Sequence, residues 1–102
     1  MAQFDVYRNP GPDAKHVPYL LDVQSDLLRD VQTRIVVPLA RATVHPKVAR
    51  LYPEFEVEGI SVIMLTTDLA GVGHSEIGAR VGALADRRDT IRDALDFAFQ
   101  GF

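Results

Sequence analysis

The 102-residue sequence predicts an α+β domain, mostly antiparallel β, in which a small barrel is closed by one C-terminal α-helix. Three observations point there. Short apolar runs with strand character, divided by proline and glycine, fill the first two thirds of the chain. Residues 55–65 carry the pattern of a hairpin. The last segment then changes to helical period.

In chain order, Gln3-Phe4-Asp5-Val6-Tyr7 alternates polar and apolar side chains, the period of a half-buried strand. The prolines and glycine of Asn9-Pro10-Gly11-Pro12-Asp13 end it. Tyr19-Leu20-Leu21-Asp22-Val23 forms a second strand and the β-branched run Arg34-Ile35-Val36-Val37 a third. Pro38 lacks an N–H and therefore belongs at a strand end, an edge or a bulge. Between these strands, Gln24 to Thr33 is a connection carrying Leu27, Leu28 and Val31, and Leu39 to Val44 reads as a weaker fourth strand. Alternation from Phe55 to Glu58, a glycine at 59 and the run Ile60 to Leu65 describe a hairpin. Ala70 to Gly73 reads as a glycine-containing connection, and residues 75–83 fit no element because Gly78 and Gly82 weaken a helix there. Strands are thus expected within about 3–66 and a helix over about 86–99. In that helix Leu84, Ile91, Ala94, Leu95, Ala98 and Phe99 share a face, with Asp86 as N-cap and Gly101 as C-cap.

One domain, residues 1–102, accommodates this length. A formal net charge of −3 is a poor footprint for holding nucleic acid by its phosphates. Without cysteine, disulfides, thiolate zinc sites and cysteine nucleophiles are excluded, as a reducing compartment would favour. No run approaches the ~20 apolar residues of a membrane span. The start Met1-Ala2-Gln3-Phe4-Asp5 lacks the features of a signal peptide, so a cytoplasmic location with no membrane partner is expected.

Recognisable reaction chemistry is missing. His16, His45 and His74 are too far apart in sequence for a metal motif. Gly71-Val72-Gly73-His74-Ser75-Glu76 begins like a dinucleotide loop, but Glu76 replaces the third glycine and would repel a pyrophosphate. Asp22, Asp26 and Asp68 are expected to be solvated turn residues. Neither a cofactor nor an enzymatic activity is implied. The C-terminal segment does break local rules. Arg87 and Arg88 open the helix and Asp93 and Asp96 lie near its end, both against the helix dipole, while Phe97 projects from the polar face. Such breaches concentrate at functional sites.

Several blocks resemble the CcdB toxins. They are Gln3-Phe4-Asp5-Val6-Tyr7, Asp22-Val23-Gln24-Ser25-Asp26-Leu27-Leu28, Val36-Val37-Pro38-Leu39-Ala40, Leu51-Tyr52-Pro53, Thr66-Thr67-Asp68-Leu69-Ala70 and Ile91 through Phe102. They occur in the family's order and span nearly the whole chain. The resemblance implies an SH3-like barrel with a C-terminal helix, a homodimer, and the toxin of a type II toxin–antitoxin module. It further implies poisoning of DNA gyrase by binding the dimer of A subunits and trapping cleaved DNA. The implied antagonist is a CcdA-like antitoxin, whose complex with the toxin represses the operon, so that DNA is touched only indirectly. The family's gyrase-contacting positions fall on Leu27 and Leu28 and on the tail residues Asp96, Phe99, Gln100, Gly101 and Phe102. Two of these depart from the best-known member, which has tryptophan at the position of Gln100 and asparagine at that of Asp96. Two alternatives stay open: a degenerate toxin that still binds antitoxin, and an endoribonuclease on the related barrel of the MazF and Kid toxins.

Overall fold

The alternating segment at residues 3–7 becomes β1 (Asp5–Arg8), and the next two apolar runs become β2 (Tyr19–Asp22) and β3 (Thr33–Arg41). The computed structural model describes residues 1–43 and 48–101. The hairpin is β4 (Glu54–Val57) and β5 (Ile60–Met64). Two short strands follow, β6 (Ala70–Gly73) and β7 (Arg80–Ala83), and then the helix α1 (Arg88–Gln100). The described strands form one curled sheet in the order β4-β5-β3-β2-β1-β7, with β6 also on β3. All pairings are antiparallel. The chain is thus an α+β, half-barrel-like fold with one C-terminal helix, as its patterning predicts.

Four expectations need correction. Strands extend past residue 66, because β6 and β7 complete the sheet. Each carries glycine and lacks clear alternation, so their partners rather than their own pattern hold them. Secondly, residues 39–41 continue β3 instead of starting a fourth strand, while the end of that expected strand, Val44, lies outside the described residues. Pro38 is tolerated because β3 pairs with β6 up to Val36 and with β5 only from Leu39, so no ladder donor is needed between them. Thirdly, the helix occupies residues 88–100 rather than 86–99. Asp86 lies in a preceding 3₁₀ turn (Ala85–Arg87), and the N-cap position is Arg87, with no side-chain cap. Finally, Asp22 is not solvated: it is fully buried at the end of β2, whereas Asp26 and Asp68 are exposed as expected.

The hairpin turn places Glu58 and Gly59 at φ of 51° and 77°, the pair of left-handed residues that matches strand twist in a two-residue turn. Glu58 is held there by two donors, the Tyr19 hydroxyl at 2.7 Å and Arg8 at 3.1 Å. Phe4 is also left-handed, at φ 72°, an uncommon state for a bulky residue. Its N–H donates to Asp22 and its carbonyl accepts from Leu84, so both backbone groups are bonded in that geometry. A bulge in β1–β7 pairing follows at Val6/Tyr7. The core lies between the sheet's concave face and the helix. It includes Val6, Leu21, Val37, Leu39, Val62 and Met64, closed by Leu84, Ile91 and Ala94.

Candidate functional site

The first surface is built where β2 leaves the sheet. After Asp22 the chain makes a 3₁₀ turn, Asp26–Leu28. Ser25 caps it by accepting the Leu27 N–H at 3.2 Å. Asp26 accepts the Gln3 N–H at 2.8 Å and so fastens the turn to the N-terminal segment. With its backbone occupied in this way, the turn directs its apolar side chains outward. Leu27 is 91% exposed, and Leu28, Val31 and Ile35 extend the apolar surface beside it. Sequence reading singles out the two leucines. Ile35 escapes notice because it lies in a β-branched run whose neighbours, Val36 and Val37, are core residues.

Beneath this surface runs a buried polar network. Arg34 donates twice to one oxygen of Asp22, through Nε at 3.0 Å and through a terminal nitrogen. The other Asp22 oxygen accepts the Gln24 N–H at 3.0 Å. Burial holds Asp22 above the usual carboxylate range, opposed by the hydrogen bonds from Arg34 and Gln24. Nearby, the Tyr7 hydroxyl donates to Asp5 at 3.2 Å, and Arg80 contacts the same Asp5 oxygen. Burial first, then the Asp5 charge and hydrogen bond, pushes the Tyr7 phenol up to about 12.

The second surface is the end of α1. Ile91 and Ala94 are buried and Leu95 half-buried, but the last turn leaves the core: Phe99 is 69% exposed, and Ala98, Asp96 and Gln100 are also exposed. Ala98 and Phe99, which share a helical face with Ile91 and Ala94 in the sequence pattern, stand in solvent. Gly101 ends the helix as a left-handed C-cap at φ 80°, its N–H donating to Phe97 at 2.9 Å. Phe102 lies outside the described residues. Phe97 is half-buried beneath Arg50, which lies 4.8 Å from its ring centre. Arg50 also donates twice to Asp93, each bond 2.9 Å, and these bonds hold that carboxyl below its usual range. A cation from another part of the chain thereby offsets one of the acids placed against the helix dipole.

The two surfaces belong to different elements, and among the described residues no hydrogen bond or ion pair joins them. On the sheet, a groove of about 450 Å³ is floored by Leu20, Pro38 and Val72, with Asp13 and Glu76 at its rim and no cationic side chain among its lining residues. No metal-ligating cluster occurs among the described residues. His16 and His74 are exposed, and His45 lies outside the description. No described helix is long and apolar enough to cross a membrane.

The described residues form a small curled β-sheet closed by one helix, with an apolar turn and an exposed aromatic at the helix end. This fold resembles several solved structures. One is an endoribonuclease from a mycobacterial species, with TM-score 0.75 at 16% identity, covering 97% of this chain and 90% of that one. Another is an endoribonuclease in complex with its cognate antitoxin, also from a mycobacterial species, with TM-score 0.74 at 15% identity, covering 97% and 92%. A third is the Mycobacterium tuberculosis toxin MazF-mt6, with TM-score 0.67 at 13% identity, covering 82% and 93%. At these identities the likeness is one of fold. The family is fixed by sequence: the family model described as CcdB protein matches residues 3–101, and the chain belongs to the CcdB family.

Proposed function

We propose that this protein is the toxin of a type II toxin–antitoxin module and that it acts by binding the A subunit of DNA gyrase, trapping the cleaved-DNA complex without catalytic residues of its own. The observation that carries this reading is a phenylalanine held 69% exposed at the end of α1, within a chain matched to the CcdB family over residues 3–101. A large exposed aromatic at a rigid helix end, flanked by a glycine cap, suits an anchor that buries itself in a partner. The chain is inferred to work as a homodimer, which would present two such tails to a symmetric target. A CcdA-like antitoxin is its expected antagonist, and the related endoribonuclease solved with its cognate antitoxin supports that partnership. The cytoplasm, where gyrase resides, is the inferred location.

The test is direct. Purified protein at micromolar concentration is expected to inhibit supercoiling by gyrase from a compatible host and to accumulate cleaved DNA, and antitoxin should reverse both effects. Unaffected gyrase refutes the reading. A sedimenting species of monomer mass at micromolar concentration refutes the homodimer.

The endoribonuclease fold of the structural neighbours favours a second reading, RNA cleavage on the same barrel. That chemistry calls for a cationic groove with an acid/base pair. The groove on this sheet instead carries Asp13 and Glu76 with no cation lining it, and the net charge is −3. Cleavage of RNA by metal-free protein would restore this alternative. The departures at Gln100 and Asp96 motivate a third reading, a degenerate toxin that retains only antitoxin binding. Growth arrest on expression without antitoxin eliminates it.

A further inference from the structure

We propose that Gln24 is a positioning residue that holds the Asp26–Leu28 turn in the shape in which it meets its target; this rests on reading that turn as a contact for gyrase. Gln24 is only 2% exposed and touches the turn and the sheet at once. Its side-chain oxygen accepts the Ile35 N–H at 3.0 Å, and its side-chain nitrogen donates to the Leu28 carbonyl at 2.9 Å. The backbone ladder between β2 and β3 has just ended there, with Val23 donating to Ile35 at 3.0 Å. The Gln24 amide therefore continues the ladder by one bond and links it to the last residue of the turn. Only a side chain carrying both a donor and an acceptor at this reach can make the two contacts.

The amide is itself fixed from below. Its own backbone N–H donates to Asp22, whose second oxygen is taken by Arg34, and both of these side chains are buried. A chain of bonds thus runs from the interior to a turn whose leucines face water. Leu27 has no packing of its own to fix the turn, since it is 91% exposed. The backbone must supply the rigidity, and a preorganised turn loses less entropy on binding.

The experiment compares the full chain with Gln24→Met, which keeps the volume and removes both bonds, and with Gln24→Glu, which keeps the acceptor and loses the donor. Amide hydrogen exchange is measured on the free protein, and affinity for the purified gyrase A subunit is measured at a temperature where every variant is folded. Val62→Ala, a core truncation away from the turn, serves as a stability control. For Gln24→Met, exchange at the Ile35 amide should quicken by roughly tenfold or more while Leu21 and Val37 keep their protection. Gyrase affinity should weaken by about tenfold. Gln24→Glu should move affinity in the same direction, and Val62→Ala should bind like wild type. Wild-type affinity in both Gln24 variants overturns the positioning role alone, as does an equal loss in Val62→Ala. Failure of the wild-type chain to bind gyrase A overturns the functional reading and, with it, the turn's role as a contact.

Discussion

Replacing Arg34 by methionine removes both charged donors from the Asp22 carboxylate while keeping the bulk of the side chain. Asp22 is fully buried and would be left with one partner of those described, the Gln24 N–H. Truncating one member of a buried ion pair in this way typically costs about 3–5 kcal/mol. Against a total stability of about 5–15 kcal/mol for a domain, that is a large fraction. With about 4–8 °C lost per kcal/mol in a domain of this size, the melting temperature should fall by tens of degrees. Urea denaturation at neutral pH reads the effect directly, and a double variant, Asp22→Leu with Arg34→Met, isolates its cause. Removing both charges should restore most of the loss, because an apolar pair avoids the desolvation cost that the ion pair carries. The pH dependence has a definite sign. Burial raises Asp22 in the folded state, so the protonated carboxyl favours folding. That contribution is present below the unfolded carboxylate value near ~4 and is lost as pH rises through the folded value. In Arg34→Met the folded value rises further, and the variant should regain stability on mild acidification. A loss below about 1 kcal/mol in Arg34→Met, or a double variant no better than the single, would refute the reasoning.

Phe99→Ser should change unfolding free energy by no more than about 0.5 kcal/mol, because the ring is mostly in solvent, yet it should abolish growth arrest on expression. Gln100→Trp should tighten gyrase binding by roughly thirtyfold, the effect of an interface anchor near 2 kcal/mol, and lower the expression level needed for arrest; no change would mean that the target is not gyrase. Spectrophotometric titration should show the Tyr7 phenol ionising near pH 12, and Tyr7→Phe should remove that step. Since the folded value lies above the ordinary 10.0, Tyr7 contributes stability that is complete below pH 10 and fades as pH rises through about 12.

What the sequence makes legible follows from how local each signal is. The β4–β5 hairpin is readable because alternation, Glu58-Gly59 and the β-branched run all lie within eleven residues. The core face of α1 is readable as far as Leu95 from helical spacing. β6 and β7 are not readable, since Ala70-Gly71-Val72-Gly73 and Arg80-Val81-Gly82-Ala83 take strand form only by pairing with β3 and β1. The burial of Asp22 is equally hidden. Nothing in Leu21-Asp22-Val23 signals that an arginine twelve residues on enters the interior to meet it. At the candidate site, Leu27, Leu28 and Phe99 are identifiable by resemblance. Their exposure, and the buried glutamine behind the turn, depend on tertiary contacts that no short pattern contains.

The handover at Pro38 divides the edge pairing of β3. On one side β3 is bonded to β2 from Leu39 to Val36. On the other it serves β6 up to Val36 and β5 from Leu39; Pro38 between them offers no N–H, and its carbonyl accepts the Leu65 N–H at 2.9 Å. Loss of β6 therefore leaves the bonds of the β4–β5 hairpin to β3 intact, and the reverse holds as well. Opening that begins at β6 is therefore expected to spare the β5 pairing, and amide exchange along the two ladders reads the difference.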